Sequence, residues 1–144
     1  MRKNIFIISF FATFTILPSL WEGSGMGLHA QCDTIASFCA KHIAAPFISD
    51  GQQYRALLLA DQTAEFHATF YGGGTYRVAA CTGLKEGNLV FSLYDEERNL
   101  IFSNKDFKST SYWDFKVAST MNVIVEATLD GKTSGCAVVL IGFK

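Results

Sequence analysis

The sequence predicts an all-β fold. It is an antiparallel β-sandwich of about seven or eight short strands, jelly-roll-like in layout, with one short N-terminal helix behind a cleaved leader. Three observations predict it. Past Pro46, apolar residues recur at every second position. Turn-forming clusters interrupt that alternation every 8–14 residues. The inward positions carry large aromatics, which need a second packed layer to cover them.

Residues 1–30 have the layout of a secretory signal peptide. Arg2 and Lys3 give a basic start, Ile5 to Leu20 holds no charged residue, and Leu28-His29-Ala30 closes on a small residue. The apolar run falls short of the roughly 20 residues a membrane span needs, and Pro18 sits near its end. The mature chain is expected to begin at Gln31 and to work in the periplasm, at the cell surface or in the medium, with no transmembrane segment left after cleavage. Cys32 would suit lipidation behind a small residue, but Gln31 precedes it.

Residues 31–144 form one domain of ordinary size. They carry 10 basic residues once Arg2 and Lys3 are set aside, and 12 acidic ones without Glu22. The net charge near −2 and the scattered cations offer nothing to attract nucleic acid or an anionic membrane.

Asp33 can cap a helix over about 34–43, with Ile35, Phe38, Cys39, His42 and Ile43 on one face and Pro46 as its stop. Tyr54–Ala60 reads as the first strand. Ala64, Phe66, Ala68 and Phe70 then alternate with polar residues up to Gly72-Gly73-Gly74, and Tyr76, Val78 and Ala80 return. A tight turn at these glycines predicts a hairpin with Phe70 opposite Tyr76, Ala68 opposite Val78 and Phe66 opposite Ala80. Leu89, Phe91 and Leu93 lead through Asp95–Asn99 to Leu100 and Phe102 in a second hairpin. Trp113, Phe115 and Val117 alternate next, and Met121–Leu129 is rich in β-branched residues. Cys136–Phe143 is almost continuously apolar, as in a central strand covered on both faces.

Cys32, Cys39, Cys81 and Cys136 allow three disulfide connectivities. Strand ends favour Cys81–Cys136, closing a loop of about 55 residues worth roughly 4 kcal/mol. Cys32 and Cys39 are then left to pair with each other or to stay reduced.

Residues 54–143 resemble the bacterial pre-peptidase C-terminal domain and related jelly-roll modules. The likeness lies in Phe70-Tyr71-Gly72-Gly73-Gly74-Thr75-Tyr76-Arg77-Val78, in Phe91-Ser92-Leu93-Tyr94-Asp95-Glu96-Glu97, and in the late pair Trp113–Val117 and Val123–Ala127. The resemblance implies a non-catalytic accessory sandwich and names no ligand.

The candidate chemistry is sparse. Asp95, Glu96, Glu97, Asn99, Asn104 and Asp106 form the densest oxygen cluster, the kind of loop that can hold calcium, although a hairpin tip is ordinarily charged. Cys39 and His42 share a helix face, where a thiol–imidazole pair would be nucleophilic. Nothing in the sequence orients such a pair, and a packed face is the plainer reading. His67 is expected beside Arg77 on an outward polar face, with Tyr71, Tyr94 and Tyr112 also outward. These five residues are the candidate binding face. Catalytic motifs are missing, and no pattern implies a metal or other cofactor. The expected function is therefore an exported, non-enzymatic module that binds a protein or a glycan at the cell envelope. The alternatives are a small envelope hydrolase gathering His42 or His67 with acids, and a structural subunit joined through sheet edges.

Overall fold

The computed structural model describes residues 28–83, 89–131 and 134–144. The leader reading of residues 1–27 lies outside these. Helix α1 spans Leu28–Cys39 and tightens into a 3₁₀ turn at Ala40–His42. Strands β1 (Ile48–Leu58), β2 (Thr63–Phe70), β3 (Thr75–Cys81), β4 (Leu89–Tyr94) and β5 (Leu100–Ser103) follow. A second 3₁₀ turn, Asn104–Phe107, precedes β6 (Tyr112–Lys116), β7 (Met121–Leu129) and β8 (Gly135–Phe143). Two antiparallel sheets result, ordered β1-β8-β3-β6 and β2-β7-β4-β5.

Alternation decided which residues face inward. Phe70, Tyr76, Val78, Phe91, Leu93, Val123, Val125, Val139 and Ile141 form the buried layer between the sheets. The second hairpin also forms as its turn chemistry predicts. Asp95 and Asn99 close it with the Asp95 amide donating to the Asn99 carbonyl, and Leu93 pairs with Phe102.

The glycine turn departs from expectation. β2 and β3 do not pair: β2 lies against β7, and β3 between β8 and β6. The turn instead carries the chain from one sheet to the other. Phe70 and Tyr76 meet, but face to face across the sandwich, with ring centroids 4.3 Å apart and planes within 10°. Alternation fixes the side of a residue and is silent on which strand lies next to it. Gly72 passes so close to the 118–120 backbone that a Cβ would stand 2.9 Å from the Ser119 Cα, and Gly73 adopts a φ of +90°. Neither position tolerates a side chain easily.

β8 is apolar on both faces because both are covered. Its inner residues join the sandwich core. On its outer side Cys136, Val138 and Leu140 pack with Ala79 and Cys81 of β3 under Cys32, Ile35, Ala36 and Cys39 of α1. The helix begins at Leu28, earlier than the expected residue 34 and ahead of Gln31, and its regular part stops at Cys39.

The expected Cys81–Cys136 bond is not formed. The disulfides are Cys32–Cys136 and Cys39–Cys81. Cys32 and Cys39 lie two helical turns apart on one face, which sets both above the outer surface of β3 and β8. Cys81 is in register with Val138, so the two strand cysteines turn toward the helix at separate points along it. Each bond therefore ties helix to sheet.

Tryptic mapping without reduction should recover Cys32 linked to Cys136 and Cys39 linked to Cys81. Replacing Cys39 and Cys81 together by Ala should cost about 2–5 kcal/mol in denaturant unfolding. A linked Cys81–Cys136 peptide would refute this arrangement of α1.

Candidate functional site

The two long sides of the sandwich differ. On one, edge strands β5 and β6 are closed by aromatics. Phe102 lies 5.4 Å from Phe107 and 4.9 Å from Trp113, and meets Phe115 edge-on at 5.2 Å. Asn104 is fully buried beneath them. Its Oδ1 accepts from the Phe91 amide, and its Nδ2 donates to the Leu89 and Thr110 carbonyls. Asn104 is thus taken out of the expected oxygen cluster. Asp95 is held by Asn99, which keeps its carboxyl below the usual range, and Glu96 accepts from Asn122. Among the described residues no three acidic, histidine or cysteine groups gather at metal-binding distance.

On the other side, edge strands β1 and β2 leave a cleft of about 240 Å³ between the sheets. Tyr54, Phe70, Tyr71, Tyr76 and Phe143 line it, together with Asp50, Ala68, Thr69 and Ile141. Phe70 and Tyr76 form its floor and belong to the core. The Tyr76 hydroxyl accepts from the Tyr71 amide at 2.9 Å, which pins the Tyr71 loop to that floor.

Asp50 reaches the cleft through a bulge in β1. Ser49 pairs with Gly142 and Gln53 with Leu140, so Asp50, Gly51 and Gln52 stand against Ile141. Extra residues on an edge strand bend it and re-aim a side chain. Gly51 takes the positive φ of +82° that this bulge requires. The Asp50 carboxylate accepts from the Gln52 amide at 2.8 Å. Burial pushes its pKa up, against that hydrogen bond. The Tyr54 phenol is raised too, by burial first and then by the negative charge of Asp50.

The mouth of the cleft has an apolar rim. Phe143 is in register with both Ile48 and Tyr76, so all three project from the inner face of their sheet. Tyr76 stays covered by Phe70 of the opposing sheet, but Ile48 is 64% exposed and Phe143 40%, and Tyr71 in the adjoining turn is 65% exposed.

The five residues of the expected binding face do not converge. His67 and Tyr94 occupy one register row on the outer face of the β2-β7-β4-β5 sheet, flanking Ile124. Arg77 and Tyr112 lie on the outer face of the other sheet, so the expected neighbourhood of His67 and Arg77 is not formed. Tyr71 stands at the cleft, in the turn between the sheets. Arg77 serves packing. It makes a two-pronged ion pair with Asp114 at 2.6 and 2.9 Å, which raises its pKa, and donates to the His42 carbonyl. Its guanidinium lies between the rings of Phe47 and Tyr112, at 4.2 and 4.4 Å. His42 packs 5.3 Å from Tyr112 on that same face, and Cys39 is in a disulfide, so no thiol–imidazole pair exists.

A wider concavity of about 460 Å³ lies on the outer face around His67, Thr69, Glu96, Asn122 and Ile124. Its polar groups already answer one another: His67 with Glu65, Thr69 with Asn122, and Asn122 with Glu96. Glu65 is held below its ordinary range by Arg98 first and His67 second. The His67 side chain is 68% exposed, and the face is open rather than an enclosed pocket.

Asp50, Tyr54, Tyr76 and Phe143 are the cleft residues that sequence reasoning passed over. One signal was present: Asp50-Gly51 opens the stretch before the first expected strand, and such a pair at a strand can mark a bulge.

No family model matches the chain, and no curated protein matches it. A solved structure does. The chain is similar in fold to Aeromonas hydrophila PliG, a periplasmic lysozyme inhibitor of g-type lysozyme. Identity is 12%, the TM-score is 0.51, and the alignment covers 70% of this chain and 90% of PliG. At that identity the shared property is the sandwich.

Two measurements check this geometry. Asn104→Ala strands the Phe91 amide and two carbonyls, so it should destabilise the chain by at least about 2 kcal/mol, read by urea unfolding. Asp50→Asn should act in the opposite direction. A carboxyl whose pKa is raised on folding binds protons better in the folded state, so its contribution to stability falls as pH rises through the ordinary carboxylate range toward neutrality. At pH 7 the neutral variant should melt higher than the parent, and the difference should vanish near pH 3. An Asp50→Asn variant that melts lower at pH 7 would show the carboxylate to be compensated after all.

Proposed function

We propose that this chain is an exported, non-catalytic module that binds a protein in the cell envelope through the β1–β2 side of its sandwich. The carrying observation is an aromatic cleft with exposed Tyr71 and Phe143 in its lining and exposed Ile48 in register beside Phe143. Grouped large apolar side chains next to a pocket are the anatomy of a protein-binding hot spot. Three further features support the reading. Two disulfides suit an oxidising compartment. The resemblance to accessory jelly-roll modules implies a binding rather than a catalytic part. PliG carries the same sandwich in a periplasmic inhibitor whose partner is an enzyme.

A lysozyme-like enzyme is accordingly the first partner class to examine, and inhibition the first activity. The hydrolase alternative loses ground because neither histidine stands in a deep pocket with acids: His67 meets Glu65 on an open, exposed face, and His42 packs against Phe38 and Tyr112. The glycan alternative would use the same aromatics, but the cleft is smaller than the roughly 300–1,000 Å³ of sites that enclose a small molecule.

Light scattering should show the purified chain to be monomeric alone and in equimolar complex with a g-type lysozyme, with loss of lytic activity in a turbidity assay. Ile48→Asp alters an exposed rim position and should weaken the complex at least about tenfold while leaving the circular dichroism unchanged. Neither complex nor inhibition would remove the lysozyme partner. A stable homo-oligomer built through β1 or β2 would favour the structural-subunit alternative instead.

A further inference from the structure

The cleft combines two properties that ask for a particular occupant. It is lined by aromatic rings, and the charged residue in its lining, Asp50, is negative. Among the described residues no basic side chain lines it. Several described cations are engaged away from it: Arg55 with Asp33 and Gln53, Arg77 with Asp114, Arg98 with Glu65 and Glu126, and Lys144 over the Phe47 ring. A partly buried carboxylate whose described neighbours in the cleft include no cation carries a desolvation cost that an incoming cation would offset.

We propose that the cleft is a socket for one cationic side chain, a lysine or arginine, presented by the protein partner. The proposal rests on the protein-binding reading above and specifies its central contact. An ammonium or guanidinium entering between Tyr54, Tyr71 and Phe143 would meet the negative faces of the rings and end at the Asp50 carboxylate. The volume suits one side chain rather than a folded segment or an oligosaccharide. The molecule contains its own template for such a site. Arg77 lies between two rings at 4.2 and 4.4 Å with a carboxylate at its end. Among the described residues the cleft repeats the rings and the carboxylate without the cation.

The test uses the full mature chain with both disulfides, followed by NMR of its aromatic side chains. The probes are N-acetyl-arginine amide and N-acetyl-lysine amide, with N-acetyl-citrulline amide as the uncharged isostere and the N-acetylglucosamine trimer as a glycan. The cationic probes should shift Tyr54, Tyr71 and Phe143 saturably, and citrulline should bind at least about tenfold more weakly. Asp50→Asn keeps the oxygen that accepts from Gln52 and should lose the response by a similar factor. Tyr71→Ala, at an exposed position, should weaken it without affecting the fold. Cationic probes that leave these rings unmoved, or that bind Asp50→Asn as well as the parent, overturn the socket. So does saturation of the same rings by the glycan alone. Partner binding separates the two levels of the proposal. A lysozyme complex indifferent to Asp50→Asn leaves the protein-binding reading standing without the socket. Charge-dependent probe binding with no protein complex leaves the socket without that partner.

Discussion

Strand β8 needs cover on both faces, and the rest of the architecture is arranged to provide it. In a bare sandwich its outer side would put Val138 and Leu140 into water. Helix α1 prevents this, yet a helix of 12 residues is marginal by itself in water. Its hold comes from burial of Ile35 and Ala36 and from two covalent links placed two turns apart. β1 and β3 then pair with the strand that the helix protects. One link spans 104 residues and fastens the N-terminal helix to the last strand. By the chain-entropy model, closing a loop of that size stabilises the fold by roughly 4–5 kcal/mol.

How much of this was legible in the sequence depends on the range of the interaction. Side-chain alternation is local, and it placed Phe66, Phe70, Tyr76, Val78, Phe91 and Leu93 on the inner side. Strand neighbours are non-local. The glycine turn at 72–74 serves equally for a hairpin or for a corner between sheets, and only packing against 118–120 settles it as a corner. The cysteines failed for a different reason. The seven-residue interval from Cys32 to Cys39 is a helical period, but pairing was argued from strand ends. Asn104 looked like a loop oxygen because a side chain that ties down three backbone groups leaves no pattern of its own. The candidate site was least legible: Asp50 depends on a bulge, and bulges follow from the pairing of β1 with β8.

The aromatic content serves two purposes on the two sides of one sandwich. At β5 and β6 the rings of Phe102, Phe107, Trp113 and Phe115 cover one another. Asn104 satisfies the backbone that this leaves buried, so the side is closed both sterically and in hydrogen bonding. At β1 and β2 the rings stand around a space. Phe70 and Tyr76 stack with each other as the floor, while Tyr71 and Phe143 remain exposed above them. Composition alone cannot separate these uses, since the same residue types build both.

That contrast bears on why the open side persists. A folded domain gains by filling clefts and neutralising half-buried charges. Here the Arg77 site shows that the fold can place a carboxylate, two rings and a cation together when packing is the object. At Asp50 it supplies the carboxylate and the rings, uses a bulge and a left-handed Gly51 to aim the carboxylate, and among the described residues places no cation there. The walls are held in advance, because the floor belongs to the core and the Tyr71 loop is tied to it. A ligand entering such a site would forfeit little ordering entropy on the protein's side. A site left incomplete yet rigid is better explained by an occupant from outside than by imperfect packing.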